Sequence, residues 1–429
     1  MLRIIKGPEI EKELSRMARS SGSLALKDEK IVAAIIKDVA SSGDKALIKY
    51  TKKFDKATLS PEDLKVKQAE IQAAYKKVAP KFLHAVKLAI KNIKAYHARQ
   101  KEGEWFETMP DDVVLGMRSL PLERVGLYVP GGAASYPSSV LMNAIPAKLA
   151  GVSGIIMVTP PSKDGSVNPY ILVAASEAGI SSIYKVGGAQ AIAALAYGTE
   201  TIPKVDKIVG PGNIFVTLAK KAVFGVVGID KLAGPSEVAI LADENSDPAF
   251  IAADMLSQAE HDPNASAILV TTSSKVAASV IKEISKQVKK LDRKAIALKS
   301  INNNGKIFVV EELNQATDLV NRIAPEHLEI LAASPQKILE DIKNAGAVFL
   351  GPYSPAAVGD YIAGPNHVLP TGGSARFSSP LGVYDFMKKQ SVIGYTKAGL
   401  KAVREDLKVL AEVEGLDAHA RAVDVRFLQ

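Results

Sequence analysis

The chain has 429 residues, 47% of them hydrophobic and 23% charged, which fits globular protein and exceeds what one ordinary core holds, so two or more domains are expected. It contains no cysteine, which excludes disulfides, thiolate nucleophiles and Cys-ligated zinc and leaves only N and O ligands for a metal. The net charge of +8 rests on lysines spread over amphipathic stretches such as 282–294 and 87–94, without interleaved aromatics, so it reads as solvated helix faces and not as a nucleic-acid surface.

Glu9, Glu11, Lys12 and Glu13 follow soon after the start, which is unlike the apolar core of a signal peptide. Apolar runs such as 154–158 are far too short to span a bilayer, so a cytoplasmic protein without a membrane partner is expected. From Asp28 to His97 apolar residues recur at helical spacing, as in Ile31, Ala34, Ile35 and Val39, and again in Phe82, Val86, Ile90 and Ile93. Residues 104–129 read as strands with turns and end in Val125-Gly-Leu-Tyr-Val129 before Pro130-Gly131-Gly132.

A strand, loop and helix cycle follows. Strands are expected at 155–158, 182–186 and 207–209, separated by helices at 138–150, 169–178 and 189–197, which is the pattern of a doubly wound parallel sheet. A second cycle places strands at 238–242, 267–271, 306–310, 328–331 and 347–350, so domain joins are expected near Pro130 and Gly234-Pro235. The tail is expected as one helix, Lys397 to Glu414, ending at Gly415 with His419 just beyond.

Four of the six histidines, His261, His327, His367 and His419, lie in the C-terminal half beside carboxylates or amides. Asp247-Pro248 starts a helix that carries Gln258 and His261 to one face, able to reach one ion; a polar helix end is the alternative. In Pro325-Glu326-His327 a base for an alcohol and a base for water sit side by side, and both serve one site only at a turn or strand end; the alternative is a hydrogen-bonded surface histidine. Asp360 and Gly364-Pro-Asn-His367 lie in a Gly/Pro-rich loop, where Asp360 is either a hard oxygen ligand or a turn cap. The turns at Pro130-Gly131-Gly132, Gly187-Gly188-Ala189-Gln190 and Gly210-Pro211-Gly212-Asn213 follow strands, where open α/β sheets bind nucleotides, although none is a full G-x-G-x-x-G.

Taken in order, the segments Val125-Gly-Leu-Tyr-Val-Pro-Gly-Gly132, Val186-Gly-Gly-Ala-Gln190, Val209-Gly-Pro-Gly-Asn213, Ala233-Gly-Pro-Ser-Glu237, Leu256-Ser-Gln-Ala-Glu-His-Asp-Pro263, Ala324-Pro-Glu-His-Leu328, Gly359-Asp360, Gly364-Pro-Asn-His367 and Glu414-Gly-Leu-x-x-His419 resemble the histidinol dehydrogenases over nearly the whole chain. The resemblance implies an α/β fold of two incomplete Rossmann-like doubly wound domains, the second inserted in the first, plus small helical terminal segments used in dimerisation. Residues 26–128 and 235–380 would form the first domain, 129–234 the insertion, 1–25 an N-terminal segment and 381–429 the dimerisation segment. It further implies one zinc ion per subunit on Gln258, His261, Asp360 and His419, and NAD contacts from Tyr128, Gln190 and Asn213. Substrate contacts would come from Ser236, Gln258, His261, His327, Asp360, His367, Glu414 and His419, with Glu414 and His419 reaching the site from the partner subunit of a homodimer.

The implied reaction is the last step of histidine biosynthesis, L-histidinol with two NAD and water to L-histidine through an aldehyde. His327 would be the base on the alcohol and Glu326 the base on water, while zinc positions the substrate. Three other readings compete: oxidation of a different alcohol on the same machinery, a zinc hydrolase with Glu326 as base, and a non-catalytic binding protein.

Overall fold

The computed structural model describes residues 2–20, 26–131 and 136–428. Gly132, expected in the first glycine turn, lies outside the described residues, as do 21–25 of the N-terminal segment. The chain divides into two compact units, Met1–Gln100 with Glu123–Phe386 and Lys101–Leu122 with Met387–Gln429.

In chain order the strands are β1 (Arg3–Lys6), β2 (Trp105–Met109), β3 (Val113–Pro121), β4 (Arg124–Tyr128), β5 (Gly154–Thr159), β6 (Ser182–Lys185), β7 (Lys207–Val209), β8 (Gly228–Ile229), β9 (Glu237–Ala242), β10 (Ser266–Thr271), β11 (Lys306–Val309), β12 (His327–Ile330), β13 (Ala347–Leu350) and β14 (Met387–Gly394). The first unit holds two parallel sheets, ordered β6-β5-β4-β7-β8 and β1-β11-β10-β9-β12-β13.

Continuous apolar runs make these strands because both faces are covered. Along β9, Val238 and Ile240 enter one buried cluster while Ala239 and Leu241 enter another on the opposite face. Helices begin where an acceptor precedes proline: Asp247 accepts from the Ala249 N–H ahead of the helix Pro248–Ala259, and Asn168 from the Tyr170 N–H ahead of Pro169–Glu177.

Two expectations need correction. Strand β4 is the centre of the five-stranded sheet, so that sheet begins at Arg124 and not after residue 128. The helix Leu26–Phe54 does not cover the six-stranded sheet: its Val32, Ile35 and Leu47 share a core with Ile192 and Leu195 on the five-stranded one. Amphipathic spacing showed that this helix buries a face but not which sheet receives it. Conversely, β1 of the N-terminal segment is the edge strand beside β11.

The second unit, taken by itself, is the antiparallel sheet β14-β3-β2 with three helices, Lys397–Ala402, Arg404–Val413 and Asp417–Asp424. The single tail helix expected from the sequence is therefore broken at Val403, whose backbone leaves helical geometry (φ −106°, ψ 5°). Gly415 ends the next segment with φ +71°, and His419 lies inside the last helix.

Candidate active site

In each strand and helix repeat of the six-stranded sheet the helix runs back, so its C-terminal end returns to the level where strands begin. That return brings the end of Pro248–Ala259, with Gln258 and His261, toward the amino ends of β9 and β12, where Glu237 and His327 stand. The helix Ala356–Tyr361, which follows β13, carries Asp360 back to the same level. Ala324 ends the preceding helix in the left-handed region (φ 52°), and Pro325 then feeds the chain into β12.

Glu326 and His327 converge on the backbone of Glu237. The Glu237 N–H donates to Glu326 Oε2 at 2.8 Å, and His327 Nδ1 lies 3.0 Å from the Glu237 carbonyl oxygen. The Glu326 carboxylate stands 3.7 Å from His327 Nδ1, and Asp360 Oδ1 lies 3.5 Å from His327 Nε2. Glu326 and His327 are 6% and 5% exposed, so their charges interact with little screening.

Burial pushes the Glu326 carboxyl up to about 7, against the opposing pull of His327. Burial works against a charge on His327, but Glu326 and Asp360 outweigh it and raise the imidazole to about 9. Asp360 is held below the usual carboxylate range, because His327 outweighs its burial. Adjacent residues thus offer a carboxyl that changes charge near neutral pH and an imidazole whose charge change lies higher, near 9.

His367 is fixed from both ring nitrogens: Nδ1 is 3.0 Å from the Asp360 carbonyl oxygen and Nε2 is 3.4 Å from Ser139 Oγ. Burial lowers the pKa of both His261 and His367, favouring the neutral rings that ligate metals or bind cations. Ser236 is half-buried immediately before β9, next to Glu237.

Among the described residues no group of three or more His, Asp or Glu is arranged to hold an ion. The expected zinc set differs in kind, since Gln258 is an amide and His419 belongs to the other unit. The donors in the first unit nonetheless fit a zinc ion. Gln258 is 4% exposed and offers its carboxamide oxygen as a neutral ligand, while its amide nitrogen, unpartnered within the protein, is left to meet an acceptor. Neutral His261 and anionic Asp360 complete an N/O donor set suited to zinc.

A second concavity, about 880 Å³, opens at the carboxyl ends of the five-stranded sheet. Tyr128, Gln190 and Asn213 all line it, with Gly131, Pro160, Gly188, Asp55 and Phe215. The Tyr128 hydroxyl accepts from the Gly188 N–H at 3.1 Å, and burial pushes its phenol up to about 12, so it remains a neutral donor. Gln190 is 1% exposed with an unpartnered Oε1, and Asn213 caps the helix Ile214–Val223 through Oδ1. A carboxamide oxygen in need of a donor and an amide group at a helix N-terminus fit the hydroxyls and phosphates of a dinucleotide. Gly210 takes φ +112°, and a Cβ there would collide with the Tyr128 backbone. Buried Lys220 and Asp230 hold that turn, Lys220 donating to the Gly210 carbonyl and Asp230 accepting from its N–H.

Glu414 and His419 are exposed residues of the second unit. Three contributors escaped the sequence reading. Glu237, whose backbone serves both bases, stands in the sequence only as the last residue of Ala233-Gly-Pro-Ser-Glu237, and burial raises its own carboxyl to about 7. Ser139 and Asn366 anchor the His367 loop, Asn366 donating to the Met142 carbonyl at 2.7 Å and accepting from the Val368 N–H. Only the Asn next to His367 carried a local signal, the turn preference of Pro-Asn.

The histidinol dehydrogenase family model matches residues 18–427. A histidinol dehydrogenase of Clostridium acetobutylicum is 54% identical over 429 residues, covering 100% of this chain and 99% of that protein. One of Halalkalibacterium halodurans is 56% identical over 395 residues, covering 92% and 93%. The crystal structure of histidinol dehydrogenase from Elizabethkingia anophelis superposes with a TM-score of 0.93 at 40% identity, covering 99% of this chain and 98% of that one.

Proposed function

The chain belongs to the histidinol dehydrogenase family, and from that premise we propose that it catalyses the last step of histidine biosynthesis, the NAD-dependent four-electron oxidation of L-histidinol to L-histidine through histidinal. The observation that carries the proposal is the convergence of Glu326 and His327 on Glu237, with Asp360 facing the far nitrogen of His327. Two oxidations in sequence need a base for an alcohol and then a base for water, and this cluster supplies one of each.

Gln258, His261 and Asp360 would hold zinc together with His419 of the partner subunit, and the metal would fix the substrate's imidazole and amine as a Lewis acid and template. NAD, on Tyr128, Gln190 and Asn213, would accept one hydride in each half-reaction. His327, with Nδ1 held by the Glu237 carbonyl, takes the hydroxyl proton at Nε2 in the first half. In the second, once that proton has passed from His327 to solvent, Glu326 removes a proton from the water that adds to the aldehyde, and His327 takes the proton of the resulting gem-diol. The ionised Asp360 beside Nε2 stabilises the imidazolium formed each time. Ser236, His367 and Glu414 of the partner subunit would bind the polar ends of the substrate.

This reading makes the protein a cytoplasmic homodimer; among the described residues no helix is long and apolar enough to cross a membrane. Incubation of zinc-loaded protein with L-histidinol, with and without NAD, tests it. NADH formation supports the proposal, whereas no NADH, or metal-dependent turnover of an ester or amide without NAD, contradicts it.

A further inference from the structure

Strand β8 ends at Ile229, and the two residues that follow it serve different sites. Asp230 accepts from the Gly210 N–H at 2.9 Å and pairs with Lys220, which fixes the turn that carries Asn213. Lys231, 9% exposed, reaches another segment: its Nζ donates to the Val368 carbonyl at 3.0 Å and to the Ser379 carbonyl at 2.7 Å. Val368 directly follows His367. The chain then continues between the same two neighbours. The Ala233 carbonyl accepts from Thr217 Oγ1 of the helix Ile214–Val223 at 2.9 Å, and the Gly234 N–H donates to Thr371 Oγ1 at 2.6 Å.

Lys231 is thus a buried cation held by neutral acceptors. The two anions that act on it, Asp230 and Asp385, are paired with Lys220 and Lys207 instead, and burial holds its pKa below the ordinary lysine value. An apolar side chain of the same length would fill that space without the cost of desolvating a charge, so packing does not account for the ammonium. What the ammonium adds is two charge-assisted hydrogen bonds to the segment that bears His367. We propose that residues 230–234 are a positioning strut, with Lys231 as its main tie, which holds the His367 loop against the turn at Gly210–Asn213 and so sets the approach of the reacting carbon to the nicotinamide. Lys231 touches neither ligand in this assignment, and the identity of both ligands rests on the function proposed above.

The test compares wild type, Lys231→Met and Thr371→Val in two measurements. The first is amide hydrogen exchange in ligand-free protein at Val368, whose N–H donates to Asn366 Oδ1 within the loop. The second is the first hydride transfer from L-histidinol to NAD on zinc-loaded protein, followed over a single turnover at saturating ligands. Lys231→Met keeps the length of the stem and removes the donor. It is expected to lose about tenfold in Val368 protection and roughly 10- to 100-fold in the rate constant of hydride transfer, with the amplitude unchanged. A role in stability alone would lower the amplitude, which counts competent sites, and leave the rate constant as it is. Thr371→Val removes the acceptor of the Gly234 N–H and leaves Lys231 in place, so it should show both losses in smaller measure. Unchanged protection or an unchanged rate constant in Lys231→Met would overturn the proposal; should that variant not fold, unchanged values in Thr371→Val would do so. Failure of the wild type to reduce NAD with L-histidinol would remove the reaction reading instead, and exchange at Val368 alone would then decide whether the strut holds the loop.

Discussion

Nδ1 of His327 lies 3.0 Å from the carbonyl oxygen of Glu237, which makes Nδ1 the protonated nitrogen of the neutral ring and leaves Nε2 as the base. Nε2 then faces Asp360 Oδ1 at 3.5 Å, so the tautomer that frees the base also places a carboxylate beside the charge it acquires. His327→Ala should therefore slow both half-reactions by about 10² to 10⁴. Stopped-flow measurement of the first hydride transfer checks this, and an unchanged first step would contradict it.

Glu326 accepts from the Glu237 N–H and holds no position on the alcohol proton in this assignment. Glu326→Gln keeps the shape and that acceptor, so it should slow aldehyde oxidation by about 10² or more while changing alcohol oxidation by less than about tenfold. Feeding the aldehyde and the alcohol separately measures the two steps. Equal losses would remove Glu326 as the water base.

The same residue sets a pH dependence. Burial lifts its carboxyl to about 7, so the ionised form that accepts a proton is lost as pH falls through 7. Oxidation of the aldehyde should rise with pH along an acid limb near 7 and, because His327 must also be neutral to take the gem-diol proton, keep rising toward about 9. A flat profile between about pH 5.5 and 8.5 would show that Glu326 does not titrate in this step.

Gly210 holds φ +112°, and the Tyr128 backbone occupies the space a Cβ would need. Gly210→Ala should destabilise the protein by about 1–3 kcal/mol and raise the NAD KM, because the turn carries Asn213 and adjoins Tyr128. Thermal unfolding and a KM determination test both effects. A variant with wild-type stability would contradict the strain assigned to this turn.

His419 and Glu414 sit in the second unit, exposed. If they complete the partner's site, mixing inactive His419→Ala with inactive Glu326→Gln subunits regains up to about a quarter of wild-type activity, since half the dimers then carry one intact site. No recovery after verified subunit exchange would place His419 in its own chain's site.

Much of this was legible in the residues. Buried parallel strands read as apolar runs bounded by glycine and proline, so β5, β7, β9, β10 and β13 fell within a residue or two of their expected positions. Glu326, His327, Asp360 and His367 stood out as chemistry-bearing types. What stayed hidden depends on long-range packing: the helix Leu26–Phe54 covers the five-stranded sheet, and the tail helix breaks at Val403 without a glycine or proline. The support under the site was equally silent, because Glu237 acts through its backbone.

The most direct test of the account is the number of NADH formed per L-histidinol consumed at completion, with zinc-loaded protein and a metal-stripped control. The account predicts two, lost on stripping and restored by Zn²⁺. One NADH per substrate with aldehyde released, or undiminished turnover without metal, would contradict it.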